Sequence, residues 1–340
     1  MNLEETTIKK ISVHWVGNKS EEENLVMSSE SLALDADLNE KLTDFFLNKF
    51  AKIQERYYFT HSSSLDYNEI YNFTKHIIYN KEDFHKVTKR VAQHLYDCSE
   101  HPNVKAGEVY VCEFEKIQIG GIFYKGVGIF KTENKQGFLE IGDEEENFEI
   151  DYKLGIDINK MDKACLILDI DEKEGFQVSI IDNVTSGSDT ALYWKDDFLG
   201  VVPRENDFYQ TKELLIATKD FISEQLSEEF VLSNTDKIDL LNKSVSYFKD
   251  SDEYVLEEFS DSIFQNDEIK ESFNKFTNNE FQDSFAISDQ AVKKQAKYFK
   301  SVIKLDKNFS VYVHGDKNKI ENGTDENGRR FYKLYYVSES

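Results

Sequence analysis

"GEVYVCEFEKIQIGGIFYKGVGIFK", residues 107–131, alternates β-branched and aromatic residues with polar ones on both sides of Gly120 and Gly121. A period of two marks a strand, because successive side chains leave a pleated backbone on opposite faces. Two adjacent glycines supply the backbone freedom of a two-residue hairpin loop. The stretch therefore predicts a β-hairpin. The same period continues outward through GFLEIG, NFEIDYK, ACLILDI and FQVSIID as far as Asp182, with residues 171–175 as the turn between the last two. No helical pattern separates these runs, so the sheet is expected to be antiparallel and the class α+β, not doubly wound α/β.

Upstream, Ile11, Val13 and Trp15 alternate with Ser12 and His14, as on a half-buried strand. Helical stripes follow: Leu38, Leu42, Phe45, Phe46 and Phe50; then residues 68–79; then Phe84, Val87, Val91 and Leu95. Downstream the period turns helical again. Leu214, Leu215, Thr218, Phe221, Ile222 and Leu226 form one stripe, Ile238, Leu241, Val245 and Phe248 another, and residues 254–264 and 269–276 read as two more helices. Ser288 and Asp289 predict the cap of a last helix over 290–300, and the strand-like runs SVIKLD, FSVYVHG and FYKLYYV close the chain. With 340 residues, two domains are the natural expectation. These are 1–202, an antiparallel sheet with flanking helices, and 203–340, a mainly helical part ending in a small β-sheet. The stretch between them, YWKDDFLGVVP, predicts an interdomain joint with Trp194, Phe198 and Leu199 buried between the domains. Pro203 stops the chain there, and Asn206 or Asp207 caps the helix that follows.

The formal net charge is −24, a sign that repels phosphate backbones and anionic membranes at long range. It is uneven: residues 288–340 carry +4 and residues 1–287 carry −28. No apolar run is long enough to span a bilayer and the first residues lack a secretory pattern, so a cytoplasmic protein without membrane contact is expected. Three scattered cysteines, Cys98, Cys112 and Cys165, agree with a reducing compartment.

Reactive constellations are sparse. The nucleophile elbow, the phosphate-binding loop and the dinucleotide glycine fingerprint are all missing, so neither an enzyme nor a cofactor is expected. His94, Cys98 and His101 superficially resemble metal spacing, but His101 falls beyond the helix and no fourth ligand is evident. Asp169 and Asp171 alternate on one strand face, as in metal-dependent nucleases, or are solvated charges of an acidic turn. The last helix carries a more direct reading. Val292, Ala296 and Phe299 form its apolar stripe, while Lys293, Lys297 and Lys300 lie one residue round with Lys294 beside them, a ladder able to track a phosphate backbone. Arg329 and Arg330 open the following strand. Lysines on the wet face of an amphipathic helix are also ordinary. A second set, Lys86, Lys89 and Arg90, has the same geometry.

The opening strand IKKISVHWVGN, the midpoint ALYWKDDFLGVVPRENDFYQT and the terminal VKKQAKYFKSVIKLDKNFSVYVHGD with RRFYKLYY resemble the bacterial nucleoid-associated protein family, the NdpA-like group. The resemblance runs through most of the chain. It implies a non-enzymatic cytoplasmic protein that co-localises with the chromosome, with an α+β N-terminal part, a largely helical C-terminal part and no cofactor. It carries over no residue as a DNA contact. Two routes to the chromosome follow: weak DNA contact through the basic terminal segment, or association with nucleoid or DNA-handling proteins. An acidic interaction module without DNA contact is the alternative and a nuclease a lesser one; a homo-oligomer is compatible with either.

Overall fold

A computed structural model describes residues 1–144, 147–183, 193–230, 232–277, 281–299, 302–313 and 319–338. The chain divides into two compact units, Met1–Arg204 and Glu205–Ser340. In chain order the first contains β1 (Thr7–Val16), β2 (Leu25–Met27), α1 (Ala36–Leu47), β3 (Tyr57–Phe59), α2 (Glu69–Ile78) and α3 (Phe84–Cys98). There follow β4 (Gly107–Ile119), β5 (Ile122–Thr132), β6 (Lys135–Glu144), β7 (Asn147–Ile156), β8 (Lys163–Leu168), β9 (Gln177–Asp182) and β10 (Val201–Pro203).

Eight strands pair in the order β10-β3-β9-β8-β5-β4-β1-β2, every neighbour antiparallel. The class is α+β. At the β4–β5 turn Gly120 and Gly121 take φ of 57° and 85°, the pair of positive angles that matches hairpin twist and that L-residues avoid. The sheet is covered on both sides. On one face Val109, Val111, Val127, Ile129 and Ile167 bury against Ile70, Tyr71, Val87, Val91 and Leu95 of α2 and α3. On the other, Cys112, Phe114, Phe130 and Leu166 bury against Phe46, Leu47 and Phe50, with the Phe46 and Phe130 rings stacked 4.1 Å apart. Burial on both faces explains why β8 reads as an unbroken apolar run, all six of its residues being buried.

That layering revises β1. Its polar side was read as the exposed one, yet Ser12 is 0% and His14 2% exposed. α3 lies over them, and each is satisfied by a side chain of that helix: Ser12 Oγ meets His85 Nδ1 at 2.8 Å and His14 Nε2 meets Thr88 Oγ1 at 3.0 Å. Ala191 and Leu192 of the joint lie outside the described residues. The rest forms a π-helical turn, Tyr193–Leu199, in which Trp194, Phe198 and Leu199 are buried in the core of the first unit together with residues of α2, α3 and the sheet. Their burial is thus provided for inside the first unit. Pro203 ends β10, opposite Tyr57. Asn68 ties the turn down: its side chain caps α2 at Tyr71 N–H and donates to the carbonyls of Leu199 and Gly200 at 2.9 and 3.0 Å.

In the second unit Asn206 caps α4 (Asp207–Asp220) by accepting the Tyr209 N–H. A π-helical turn, Phe221–Gln225, joins α4 to α5 (Leu226–Glu229), and α6 (Asn234–Asp250) opens on a capping box made by Ser233 and Asp236. Then come β11 (Glu253–Val255), α7 (Leu256–Ile263), α8 (Asp267–Thr277), β12 (Ser284–Ala286) and α9 (Asp289–Ala296). The chain closes with β13 (Val302–Leu305), β14 (Phe309–Tyr312), β15 (Ile320–Thr324) and β16 (Arg330–Leu334). The core is aromatic: Phe221 packs edge-on against Phe264 and Phe273, with Phe248, Tyr254 and Phe259 adjoining. The terminal strands form two separate hairpins, β13–β14 and β15–β16, and β15 falls within residues 316–328, a stretch whose Gly, Asn and Asp content alone reads as a loop.

Candidate nucleic-acid interface

The helix expected over 290–300 ends at Ala296. Lys297 is its C-cap, and the next two N–H groups, of Tyr298 and Phe299, turn back to Gln295 and Ala296 and tighten the last turn. Ser288 caps the other end, accepting the Ala291 N–H, while its own N–H donates to Thr211 Oγ1 of α4 at 3.0 Å. α9 buries Ala291 and Val292 and leaves Lys293, Lys294 and Lys297 exposed. Among the described residues Lys293 and Lys297 share one row and Lys294 lies beside them. Lys300 lies outside the described residues.

The electrostatics of this row set it apart from much of the second unit. There Lys212, Lys243, Lys270, Lys275 and Lys333 each pair with a carboxylate at 2.6–3.3 Å. Among the described residues no carboxylate pairs with Lys293 or Lys297; the Lys297 ammonium rests over the Tyr298 ring at 4.8 Å, and Lys294 lies over Phe208 at 5.0 Å. Arg329 and Arg330 are exposed at the start of β16. No hydrogen bond or ring contact among the described residues joins them to Lys293 or Lys297. The α3 set is weaker. Arg90 is neutralised by Glu82 at 2.6 Å and stacked over Phe73, and Lys89 is half-buried, which leaves Lys86 as the exposed cation.

The two metal readings dissolve. β8 ends at Leu168, so Asp169 and Asp171 lie in the turn beyond the strand and not on its face, and Asp171 takes a left-handed φ of 55°. Asp169 accepts the Tyr79 hydroxyl at 2.9 Å and Asp171 pairs with Arg204 at 2.7 Å. His94 spends one ring nitrogen on Glu69 and the other on the Phe198 carbonyl, while the Cys98 thiol donates to the Asp197 carbonyl. Burial pushes that thiol up to about 12, so it stays protonated and a poor ligand. Among the described residues no three His, Cys, Asp or Glu side chains are placed to hold a metal ion.

Sequence reasoning missed a buried charge row. Lys131, Lys163 and Asp182 are register partners across β5, β8 and β9. Lys131 Nζ pairs with the buried Glu133 at 3.1 Å and donates to the Lys105 carbonyl, and Lys163 Nζ meets Asp182 at 2.7 Å. Tyr193 lies against both ammonium groups, 5.7 and 5.2 Å from its ring centre. Burial lowers the pKa of Lys131 and raises that of Tyr193. The available signal was a lysine at the edge of each of two apolar runs, Lys131 after GVGIF and Lys163 before ACLIL. Two residues after Lys131 a glutamate follows on the same face.

The His14 site makes a pH prediction. Its Nδ1 accepts the Ser28 N–H at 3.2 Å and its Nε2 faces Thr88, whose hydroxyl donates to the His85 carbonyl, so the ring is held in the neutral tautomer. Burial, then the nearby charges of His85 and Lys89, lower its pKa to about 4. A depressed histidine pKa favours the folded state above the unfolded value of 6.5, and that stability is lost as pH falls from 6.5 to about 4, a loss of about 3 kcal/mol. Urea melts between pH 7 and pH 4 are expected to show this slope in the wild type and a shallower one in His14→Gln. Identical slopes would remove His14 as the cause.

An antiparallel sheet covered by helices on both faces and a helical unit built on packed aromatic rings define an α+β protein whose described residues assemble no metal centre. The family model of nucleoid-associated protein YejK matches residues 12–327, and the chain belongs to that family of bacterial nucleoid-associated proteins. No curated protein sequence matches the chain significantly. Among the described residues no helix is long and apolar enough to cross a membrane.

Proposed function

We propose that the protein is a non-enzymatic nucleoid component that touches duplex DNA weakly through the exposed face of α9. The observation that carries this reading is the row of Lys293 and Lys297, exposed and unmatched by any described carboxylate in a chain of net charge −24. Point charges one helical turn apart can follow a phosphate strand without reading bases, so binding should be sequence-tolerant. The acidic remainder keeps affinity low and prevents wholesale coating of DNA.

Two phosphate contacts, one for each lysine of the row, predict a log–log salt slope of about −1.8, or about a 12-fold loss of affinity between 50 and 200 mM salt. Lys293→Glu with Lys297→Glu should abolish binding at low salt, and a fluorescence-anisotropy isotherm on a duplex measures both. No binding by the wild type at 50 mM salt defeats the reading. The net charge of −24 favours a second route, recruitment by nucleoid or DNA-handling proteins. It is separated from the first by affinity purification after nuclease treatment, where partners that survive loss of DNA favour recruitment.

A further inference from the structure

β6 and β7 form a two-stranded sheet of their own, outside the eight-stranded sheet. Register partners share a face, and faces alternate along each strand. Leu139 lies opposite Tyr152, Ile141 opposite Ile150, Gly137 opposite Leu154 and Asp143 opposite Phe148, which puts six large apolar side chains on one face. They are 63–76% exposed. The other face carries Glu140 opposite Asp151, Phe138 opposite Lys153 and Gly142 opposite Glu149, with Glu140 and Lys153 ion-paired. The Tyr152 side chain lies across Gly137, where a Cβ would sit 2.0 Å from its hydroxyl, so the apolar face is flat. An amphipathic hairpin this long with one bare face is unlike the rest of the first unit, whose sheet is covered on both sides.

We propose that this face is where two copies of the chain associate, hairpin against hairpin, as a two-layer sheet. The area fits. Covering six such side chains hides on the order of 800 Å² per copy, and two copies together reach the ~1,600 Å² of a standard stable interface. The cover has to be constitutive, because an isolated two-stranded hairpin is at best marginally stable in water, and a second copy is the partner present whenever the chain is. Sheets packed face to face at about 10 Å interdigitate side chains of this kind, and one patch meeting itself closes a two-fold dimer. DNA does not fit this hairpin: residues 135–156 carry Glu140, Asp143, Glu144, Glu145, Glu146, Glu149 and Asp151 against Lys135 and Lys153. The proposal is independent of α9 and of DNA contact.

Sedimentation velocity of the full chain across 1–100 µM tests it. The wild type should sediment as a dimer, and Ile141→Lys with Tyr152→Lys should raise the dimer dissociation constant at least about a hundredfold. Glu149→Lys, on the polar face, should leave it unchanged. Mild oxidation supplies a readout that does not depend on losing a fold: Ile150→Cys, at the middle of the apolar face, should give a disulfide-linked dimer, while Glu149→Cys and the wild type with its three cysteines should not. A wild type that is monomeric at 100 µM, a lysine pair without effect, or cross-linking that is equal at Glu149 and Ile150 overturns the proposal.

Discussion

Trp194→Ala is expected to destabilise the first unit by about 4 kcal/mol, the middle of the range for truncating a fully buried aromatic residue. Trp194 is 0% exposed, lies 4.9 Å from the Phe198 ring and 6.3 Å from Tyr193, and joins the core shared with α2 and α3. Removing it opens a cavity that the neighbours cannot fill, because Phe198 and Leu199 are tethered through the Asn68 hydrogen bonds to the Leu199 and Gly200 carbonyls. Trp194→Phe should cost far less. The indole N–H is buried without a hydrogen-bond partner among the described residues, so replacing it with a carbon edge removes an unsatisfied donor along with some volume. Urea denaturation followed by circular dichroism reads both midpoints. Equal losses in the two variants would show that packing at Trp194 is not what holds the turn.

Lys131→Met should cost about 3–5 kcal/mol, because Glu133 would then be a buried carboxylate without its cation. Both side chains are almost fully buried, 0% and 1% exposed, and the carboxylate lies 3.1 Å from the ammonium. Adding Glu133→Gln to the variant should restore most of the loss, since the charge and not the side chain is then removed. The recovery is the diagnostic quantity, and a double-mutant cycle in urea measures it. If Lys131→Met is nearly neutral, the pair contributes nothing to stability. The row then requires another explanation.

Much of the fold was legible because local rules and tertiary packing agree. Gly120 and Gly121 turn where the period-two pattern asks for a turn, and Asn206 and Ser288 cap α4 and α9. The stripe ending at Leu95 faces the sheet core, whereas the stripe ending at Phe248 is split: Leu241 and Phe248 face the helical core, Ile238 packs with Ile303 and Val313, and Val245 is half-buried. Other features were not legible. Ser12 and His14 look like the wet side of β1, and only the position of α3 over that side buries them, with Ser12 hydrogen-bonded to His85 and His14 to Thr88. Asp169 and Asp171 keep the spacing of a strand although the strand ends at Leu168, a boundary set where pairing with β5 and β9 ends.

The candidate interface divides in the same way. Spacing alone puts Lys293 and Lys297 on one helical row and Val292 on another, because 3.6 residues per turn leave no alternative once the segment is helical. Where the helix stops is not in that pattern: Tyr298 and Phe299, beyond Ala296, turn back by i→i−3 hydrogen bonds. Whether a lysine is free or neutralised depends on which carboxylate folds against it, as Glu133 does for Lys131 and Glu82 for Arg90.

The sequence by itself determined the α+β class, the antiparallel β4–β5 and β8–β9 hairpins and the family, since each rests on short-range periodicity and on the order of residues along the chain, but not that β6 and β7 leave the main sheet and β5 pairs with β8. The tertiary structure decided which charges are buried, which faces are bare and which polar residues belong to a core. Those depend on contacts between residues far apart in the chain, such as Lys131 with Tyr193 and Asn68 with Leu199, and burial and charge pairing are properties of the folded neighbourhood, which no local pattern encodes.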